Sequence, residues 1–205
     1  MPASSIVDRG IVREFSLDGA ELVLATWSAA DSRSLMSHAA GLALGITAEQ
    51  VTIGNCCAHC GSAEHGQPFA QAHGSCGVSF SRAGEYAIAA AHRDARVGVD
   101  IESVISLGSH RVDDVLLSAA ERESAGDFGP RERDRYLTRL WVAKEAVTKL
   151  VGLGLRIELS SLDIRLDGTG GELASRPEKL GLATSPRLTL FDVGEDIVGA
   201  LAVVD

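Results

Sequence analysis

The sequence lacks long hydrophobic runs, is poor in basic residues and contains few cysteines, and each shortage excludes a class of protein. The longest nearly apolar run, Ala39–Ile46, is far too short to cross a bilayer. With 19 lysines and arginines against 28 aspartates and glutamates, the formal net charge is −9. This charge argues against a nucleic-acid-binding protein, which would present a basic face. Four cysteines are too few for a disulfide scaffold in 205 residues.

The N-terminal sequence also lacks the pattern of a signal peptide, because MPASSIVDRG contains no basic segment followed by an apolar one. We therefore expect a cytoplasmic protein with no membrane partner. The hydrophobic content of 45% and the charged content of 23% are typical of a globular chain. A chain of this length can form one large domain or two small ones.

The cysteines lie close together in the sequence and permit two interpretations. Cys57-Ala-His-Cys60 is a C-x-x-C motif, and other residues of the types that bind zinc lie nearby: His59, His65, His73 and Cys76. Zinc binding is therefore one interpretation, and a zinc-binding interaction module is the function it would imply. Because no second C-x-x-C pair accompanies the first, we favour reduced thiols in a loop.

Hydrophobic periodicity predicts an α+β fold in two halves. Helices are predicted at residues 31–45 and 131–151, and residues 112–124 are predicted to form one helix or two helical turns. Strands are predicted at residues 21–26, 51–53, 78–80, 85–92, 97–102, 161–166, 187–193 and 197–204. We expect hairpins between 85–92 and 97–102 and between 187–193 and 197–204, and loops at 54–77 and 168–171. A linker-like segment at 103–110 divides the chain into halves 1–102 and 103–205, with no sequence repeat between them.

Acidic side chains lie on the predicted strand at 97–102 and on the predicted helix at 131–151. Asp100 and Glu102 point to the same side of an extended strand, because side chains alternate. Glu145 and Lys149 are four residues apart and share one face of a helix. Taken separately, the first pair could be a solvated strand end, and the second a surface ion pair.

Taken together, the same residues indicate a site for a divalent cation and an anionic ligand. Two neighbouring carboxylates repel each other and either raise their pKa values or bind a cation. Mg²⁺ prefers oxygen ligands, and Glu145 would complete a set of three acids. Lys144 and Lys149 suit a ligand with phosphate groups. The indicated chemistry is magnesium-assisted transfer from a pyrophosphate compound, although spacing alone does not show that residues 100 and 145 meet.

These motifs carry a family resemblance. G-V-D-x-E at 98–102, followed about 40 residues later by W-x-x-K-E-A-x-x-K at 141–149, resembles the surfactin-type 4′-phosphopantetheinyl transferases. Three further features agree with this family: C-G-x-x-x-H-G-x-P at 60–68, Ser81 before a Gly-containing turn, and G-x-G-L at 152–155.

The resemblance implies an enzyme that moves the phosphopantetheine arm of coenzyme A onto a serine of an acyl or peptidyl carrier protein. The second product would be adenosine 3′,5′-bisphosphate, and Mg²⁺ would be the cofactor. The implied fold is a pseudo-dimer of two similar α+β halves with the active site in the cleft between them. We expect the chain to act as a monomer.

The resemblance also implies roles for individual residues. The metal ligands would be Asp100, Glu102 and Glu145. Glu145 or Glu102 would take the proton of the serine, and we favour Glu145. Lys149 would neutralise or protonate the leaving phosphate, and Lys144 would hold the pyrophosphate. Ser81 and Arg82 would contact the 3′-phosphate of coenzyme A, and the nucleotide pocket would be lined by Gly66, Gln67 and Pro68.

The sequence departs from the family pattern where basic residues are common. Arg82 replaces a frequent histidine, Gln67 is neutral where a basic residue is frequent, and the first helix offers only Arg33 and His38. These departures motivate an alternative function, a degenerate relative that binds coenzyme A or a carrier protein without turnover. The intact set of Asp100, Glu102, Glu145 and Lys149 favours an active transferase.

Overall fold

The computed structural model describes residues 10–27, 31–57, 60–72, 75–104, 112–126 and 128–205. The strands are β1 Ile11–Leu17, β2 Ala20–Thr26, β3 Thr52–Cys56, β4 Gln67–Gln71, β5 Ser75–Ala83, β6 Tyr86–His92, β7 Arg96–Ser103, β8 Asp163–Leu166, β9 Gly170–Ser175, β10 Arg187–Asp192 and β11 Ile197–Val204. The α-helices are α1 Ser32–Leu44, α2 Asp113–Leu116, α3 Ala119–Ala125 and α4 Pro130–Val151. Single 3₁₀ turns lie at Ala48–Gln50, Gly154–Arg156, Leu159–Ser161 and Glu178–Leu180.

The strands form two antiparallel sheets with the same internal order. The first sheet runs β1-β2-β6-β5-β4-β3, and the second runs β7-β11-β10-β9-β8. Apart from the added edge strand β1, the first strand of each sheet lies next to its last strand, and the other strands then follow in reverse order of sequence. The long helix follows the first strand in both halves, α1 after β2 and α4 after β7. The predicted pseudo-dimer of two similar α+β halves is therefore confirmed.

Three layers of apolar side chains hold this arrangement together. In the first half, α1 covers one face of its sheet through residues that include Leu35, Ala39 and Val78. In the second half, α4 covers one face of the other sheet in the same way. The remaining faces of the two sheets pack against each other, with Leu22 and Ile88 opposite Val99. The interface between the halves is thus a hydrophobic core.

The ends of the two long helices follow from local sequence. Asp31 caps α1 by accepting hydrogen bonds from the backbone N–H groups of Arg33 and Ser34, and Gly45 ends that helix with φ of 71°. Pro130 begins α4, and Gly152 ends it with φ of 71°. These boundaries agree with the sequence-based prediction to within a residue.

Gly98 lets α4 lie directly on β7. A Cβ atom at this position would overlap the carbonyl oxygen of Ala146 and approach the backbone nitrogen of Leu150 to 2.6 Å. Only glycine permits this separation of helix and strand. The G-V-D part of the sequence motif therefore fixes the distance between Asp100 and the helix that carries Glu145.

The structure corrects the predicted pairing of the strands. The expected hairpin between residues 85–92 and 97–102 is wrong, because β6 pairs with β2 and β5 whereas β7 pairs with β11 in the other sheet. The hairpin of β10 and β11 is confirmed. The boundary between residues 102 and 103 remains a prediction, but hydrogen bonding places β7, with Asp100 and Glu102, in the second sheet.

Three short strands were not predicted. β4 and the start of β5 lie in the segment 54–77 that was expected to be loop, β9 begins inside the predicted turn at 168–171, and β1 precedes the first expected strand. His59, His73 and residues 105–110 of the expected linker lie outside the described residues. Within the part of the chain that is described, no helix combines the length and the apolar character needed to span a membrane.

Candidate active site

The candidate site begins on β7, where Asp100 and Glu102 face helix α4. Asp100 lies opposite Ala200 and Glu102 opposite Val198 on the neighbouring strand. Val198 and Ala200 belong to the core beneath α4. Because directly paired residues point to the same face of a sheet, both acids face that helix. The alternation predicted from the sequence thus places them as expected.

Asp100 is buried and receives two hydrogen bonds on one oxygen. Lys149 Nζ of α4 donates to Asp100 Oδ1 at 2.7 Å, and Ser81 Oγ of β5 donates to the same atom at 2.6 Å. Lys149 Nζ also donates to the carbonyl oxygens of Phe80 and Val99 at 3.2 Å each. The ammonium group therefore joins β5, β7 and α4 at a single point between the halves.

Burial disfavours the ionised forms of two acids that interact with Lys149, Asp100 and Glu145. Burial raises the pKa of Asp100, and Lys149 and Ser81 oppose that rise. Burial also raises the pKa of Glu145, the negative charge of Asp100 raises it further, and Lys149 lowers it. The two acids are thus close enough to interact electrostatically, and one ammonium group serves both of them.

Glu102 lies two residues beyond Asp100, on the same face of β7. Glu102 accepts a hydrogen bond from the backbone N–H of Ser103 at 2.7 Å. Among the described residues, the group of possible ligands whose atoms all lie within 4.8 Å of one another is Cys57, Cys60 and His65. The carboxylate oxygens of Asp100, Glu102 and Glu145 do not form a group of this kind. Their predicted role as a metal-binding set remains a prediction.

A cleft of about 470 Å³ opens between the halves beside this cluster, a volume typical of a small-molecule site. The first half lines it with residues of α1, β3, β4 and β5, and the second half with the end of α4 and the turn that follows. Representative lining residues are Met36, Pro68, Phe80, Lys149, Gly152 and Arg156. Lys149 donates a hydrogen bond to Asp100 and also lines the cleft, so it connects the acids with the cleft.

Gln67 joins the halves at the wall of the cleft. Its side-chain amide donates to the carbonyl oxygens of Lys149 and Leu150 at 3.4 and 3.3 Å. A Cβ atom on Gly152 would overlap the Gln67 side chain, so glycine is required there. Gly66, Gln67 and Pro68 all line the cleft, and their predicted contact with a nucleotide remains a prediction.

The structure places Lys144 outside this cleft, against the expectation that it holds a pyrophosphate. Its side chain is 0% exposed. Its Nζ donates to Glu121 Oε2 at 2.5 Å and to the carbonyl oxygen of Leu116 at 2.6 Å. Glu121 also accepts from the backbone N–H groups of Ser118 and Ile164 at 2.8 Å each. Lys144 therefore anchors α4 to α3 inside the second half.

Ser81 and Arg82 of β5 make separate contacts. Ser81 is buried, and its hydroxyl donates to Asp100. The guanidinium of Arg82 lies 5.1 Å from the ring centre of Trp27. Neither residue lines the cleft, and their predicted contact with the 3′-phosphate remains a prediction. Ser81 supports Asp100, and the neighbouring Arg82 points to the opposite face of β5 because side chains alternate along a strand.

Sequence reasoning missed two residues of this region. Ser79 Oγ accepts a hydrogen bond from the backbone N–H of Val99 at 3.0 Å and so aligns β5 with β7. Arg156 lines the cleft and adds a cation to its second-half wall. Its position immediately after the G-x-G-L segment was the available signal, since a basic residue beside a glycine turn suits an anionic ligand.

A comparison with known protein families gives a match to the second half of the chain. A family model described as the 4′-phosphopantetheinyl transferase superfamily matches residues 96–200. The match begins at the first residue of β7 and ends within β11. It therefore covers the half that contributes Asp100, Glu102, Glu145 and Lys149.

Three individual proteins that are similar to about half of this chain are 21–29% identical to it. The 4′-phosphopantetheinyl transferase psf-1 of Bacillus pumilus is 29% identical over 114 residues, which are 56% of this chain and 48% of that protein. The chain thus spans about half the length of this curated relative. The crystal structure of holo-ACP-synthase from Plasmodium yoelii is 21% identical and covers 52% of this chain and 91% of its own, with a TM-score of 0.41. The corresponding values for holo-[acyl-carrier-protein] synthase from Neisseria meningitidis are 26%, 53%, 96% and 0.42.

Proposed function

The chain belongs to the 4′-phosphopantetheinyl transferase superfamily, and we propose that it is an active, magnesium-dependent member of the surfactin type. It would transfer the 4′-phosphopantetheine arm of coenzyme A to a serine of an apo acyl or peptidyl carrier protein and release adenosine 3′,5′-bisphosphate. One observation carries the proposal. The ammonium of Lys149 binds the buried Asp100 beside Glu145 and also lines the cleft between the halves.

The residues present fit a divalent cation as a donor set. Carboxylate oxygens are the ligands that Mg²⁺ prefers. Burial raises the pKa of Asp100 and of Glu145, and a cation bound between them would favour the ionised form of both. Asp100, Glu102 and Glu145 would hold the ion, which when bound would neutralise charge on the phosphoryl oxygens.

The reaction needs a group that accepts the proton of the carrier-protein serine. The serine oxygen forms a bond to the phosphorus next to the pantetheine arm, and the bond from that phosphorus to the oxygen of adenosine 3′,5′-bisphosphate breaks. Glu145 would take the serine proton, because it lies beside Asp100 and Lys149 and its ionised carboxylate is a proton acceptor. Glu102, on the same face of β7 as Asp100, is the second candidate for the base.

Lys149 suits the leaving group. It already lines the cleft and donates to two carbonyl oxygens in addition to Asp100. Exchange of one carbonyl contact for a phosphate oxygen would place a positive charge on the departing bisphosphate without loosening the bond to Asp100. Arg156 would add a second cation to the same ligand from the turn after α4.

The test is direct modification of carrier proteins. The full chain is incubated with Mg²⁺, coenzyme A and a panel of apo acyl and peptidyl carrier proteins, and intact-protein mass spectrometry measures the phosphopantetheine adduct. We expect an adduct that requires the chain, Mg²⁺ and the carrier serine. A chain that binds coenzyme A but modifies no carrier protein would instead be the non-catalytic relative.

Two variants localise the activity. Glu145→Gln should lower the rate of carrier modification by about 10²- to 10⁴-fold, the usual contribution of a positioned acid–base group. Asp100→Ala removes a proposed metal ligand and should lower the rate by at least about 10²-fold. Asp114→Asn is the matched control, since its carboxylate is 98% exposed and lies in the same half. Carrier labelling by Asp100→Ala at a near wild-type rate under limiting Mg²⁺ would show that the site is wrongly assigned.

A further inference from the structure

A second group of possible metal ligands lies at the other wall of the cleft. The ligand atoms of Cys57, Cys60 and His65 all lie within 4.8 Å of one another. We propose that these three residues bind one zinc ion. The sequence showed a single C-x-x-C motif and no defined partner for it. The structure supplies that partner, because it brings His65 onto the two cysteines.

The spacing of the ligand atoms suits tetrahedral zinc. Zinc binds thiolate sulfur at about 2.3 Å and imidazole nitrogen at about 2.0–2.1 Å, so a sulfur and a nitrogen on one tetrahedral ion lie about 3.5 Å apart. Cys60 Sγ and His65 Nε2 are 3.4 Å apart. An ion could therefore enter between them with little movement of either side chain.

The backbone around the cysteines forms a tight turn that holds the thiols side by side. The N–H of Gly61 donates to the carbonyl oxygen of Cys57 at 2.8 Å, and the N–H of Cys57 donates to the carbonyl oxygen of Ser62 at 3.0 Å. Gly61 adopts φ of 70°, a conformation that glycine takes without strain. These bonds hold Cys57 close to the segment that begins at Cys60, so two sulfur ligands lie near each other.

A second glycine brings the histidine to this turn. Gly66 has φ of 105°, and a Cβ atom there would lie 2.5 Å from the backbone nitrogen and Cα of Cys57. Any side chain at this position would push the segment that carries His65 away from the turn. The two glycines and the three ligands therefore form one compact unit built from a short stretch of chain.

Cysteine and histidine ligands favour zinc over Mg²⁺, the cation proposed for Asp100, Glu102 and Glu145. Thiolate and imidazole are soft or borderline ligands that suit zinc, whereas Mg²⁺ takes oxygen. Cys57 is buried, while Cys60 and His65 are exposed, so water can reach the fourth position of the ion. Cys56 is exposed beside the turn but is not a member of the group, which makes it a natural control.

The zinc would fix one wall of the cleft. Cys57, His65 and Gly66 line the cleft together with Gln67 and Pro68. An ion bound to Cys57 and His65 would hold the end of β3 against the start of β4. If the proposed function is correct, loss of the ion should raise the KM for coenzyme A more than it lowers kcat.

Metal content tests the proposal independently of activity. The full chain is purified under reducing conditions, incubated with zinc sulfate, dialysed and analysed by plasma mass spectrometry. We expect one zinc per chain in the wild type and in Cys56→Ser, and less than a tenth of that in Cys60→Ser and His65→Asn. Both lost ligands are exposed, so circular dichroism should show that these variants fold.

Cobalt supplies a second measurement. Cobalt(II) bound to the wild type should give a sulfur-to-metal charge-transfer absorption that Cys56→Ser retains and Cys60→Ser lacks. A wild-type chain that takes up no zinc overturns the proposal, and so does equal zinc uptake by wild type, Cys60→Ser and His65→Asn. Carrier-protein modification by a wild-type chain that takes up no zinc would leave the proposed function intact while removing this inference.

Discussion

Replacement of Lys144 by methionine should destabilise the protein without disturbing the cleft. Methionine has a similar length and apolar stem, so the packing volume changes little. What is lost is the ammonium that lies 2.5 Å from Glu121 Oε2 and 2.6 Å from the carbonyl oxygen of Leu116. Removing one partner of a buried ion pair leaves an uncompensated charge and costs about 3–5 kcal/mol of unfolding free energy.

The structure favours the lower end of that range. Glu121 keeps two backbone donors, the N–H groups of Ser118 and Ile164, which partly stabilise its carboxylate. We therefore expect a loss of about 3 kcal/mol, which corresponds to a decrease in Tm of about 6–12 °C for a chain of this size. Adding Glu121→Gln to Lys144→Met removes the stranded charge and should restore most of the loss.

Urea denaturation followed by circular dichroism measures the unfolding free energy of the wild type, the single variant and the double variant. Enzyme assays on folded protein then measure the KM for coenzyme A. The burial of Lys144 predicts an unchanged KM, whereas a pyrophosphate-binding lysine would raise it. An unfolding free energy within 1 kcal/mol of wild type, together with a raised KM, would refute the structural role of Lys144.

Four further outcomes follow from the geometry. Gly98→Ala should cost about 1–3 kcal/mol or more of stability by urea denaturation, because its methyl group would overlap the backbone of α4, whereas Gly194→Ala, with open space around it, should be neutral. Lys149→Gln should lower kcat for carrier modification by at least about 10²-fold, and an unchanged kcat would remove Lys149 from the reaction. Glu145→Gln should raise Tm in the absence of metal. Because burial raises the pKa of Glu145, its carboxyl group destabilises the fold progressively as the pH rises from the ordinary pKa of glutamate to the raised pKa of the folded state. The gain in Tm should therefore be absent in acid, grow through that interval and stay constant above it. Burial raises the pKa of the Cys76 thiol to about 11, so iodoacetamide at about pH 8 should label it only in denaturant, as read by peptide mass spectrometry.

The helices and most of the strands were predictable because their signals are local. Asp31 and Gly45 mark the two ends of α1 through a side-chain cap and a left-handed terminus. Strand β4 was missed because Pro68 interrupts the pattern of a strand. The structure tolerates the proline because β4 pairs with β5 only through Phe69–Gln71, so Pro68 pairs on one side alone.

The partner of β7 was not predictable from local sequence. Neighbouring strands joined by a short turn usually form a hairpin, and residues 93–95 look like such a turn. Both faces of β7 are covered, since Val99 packs between the sheets and Gly98 lies against α4. An apolar pattern shows that a strand is buried but does not show which strand lies beside it. The choice between β6 and β11 therefore depends on the tertiary fold.

The acids of the candidate site were predictable as a group, but their supporting contacts were not. Alternation along β7 placed Asp100 and Glu102 on one face, and the four-residue spacing placed Glu145 and Lys149 together. The bond from Ser81 to Asp100 crosses from the first sheet to the second. Such a contact has no sequence signal, because it depends on how two separate sheets pack.

The two lysines of the W-x-x-K-E-A-x-x-K motif could have been separated by helix geometry alone. Five residues of α-helix rotate a side chain by about 140°, so Lys144 and Lys149 cannot face the same ligand. Lys144 instead continues the apolar stripe that runs through Leu137, Leu140 and Val147, all of them buried. A lysine on the buried stripe of a helix requires a buried acid, which Glu121 provides. One motif thus contains a buried lysine that anchors the helix and a second lysine that lines the cleft.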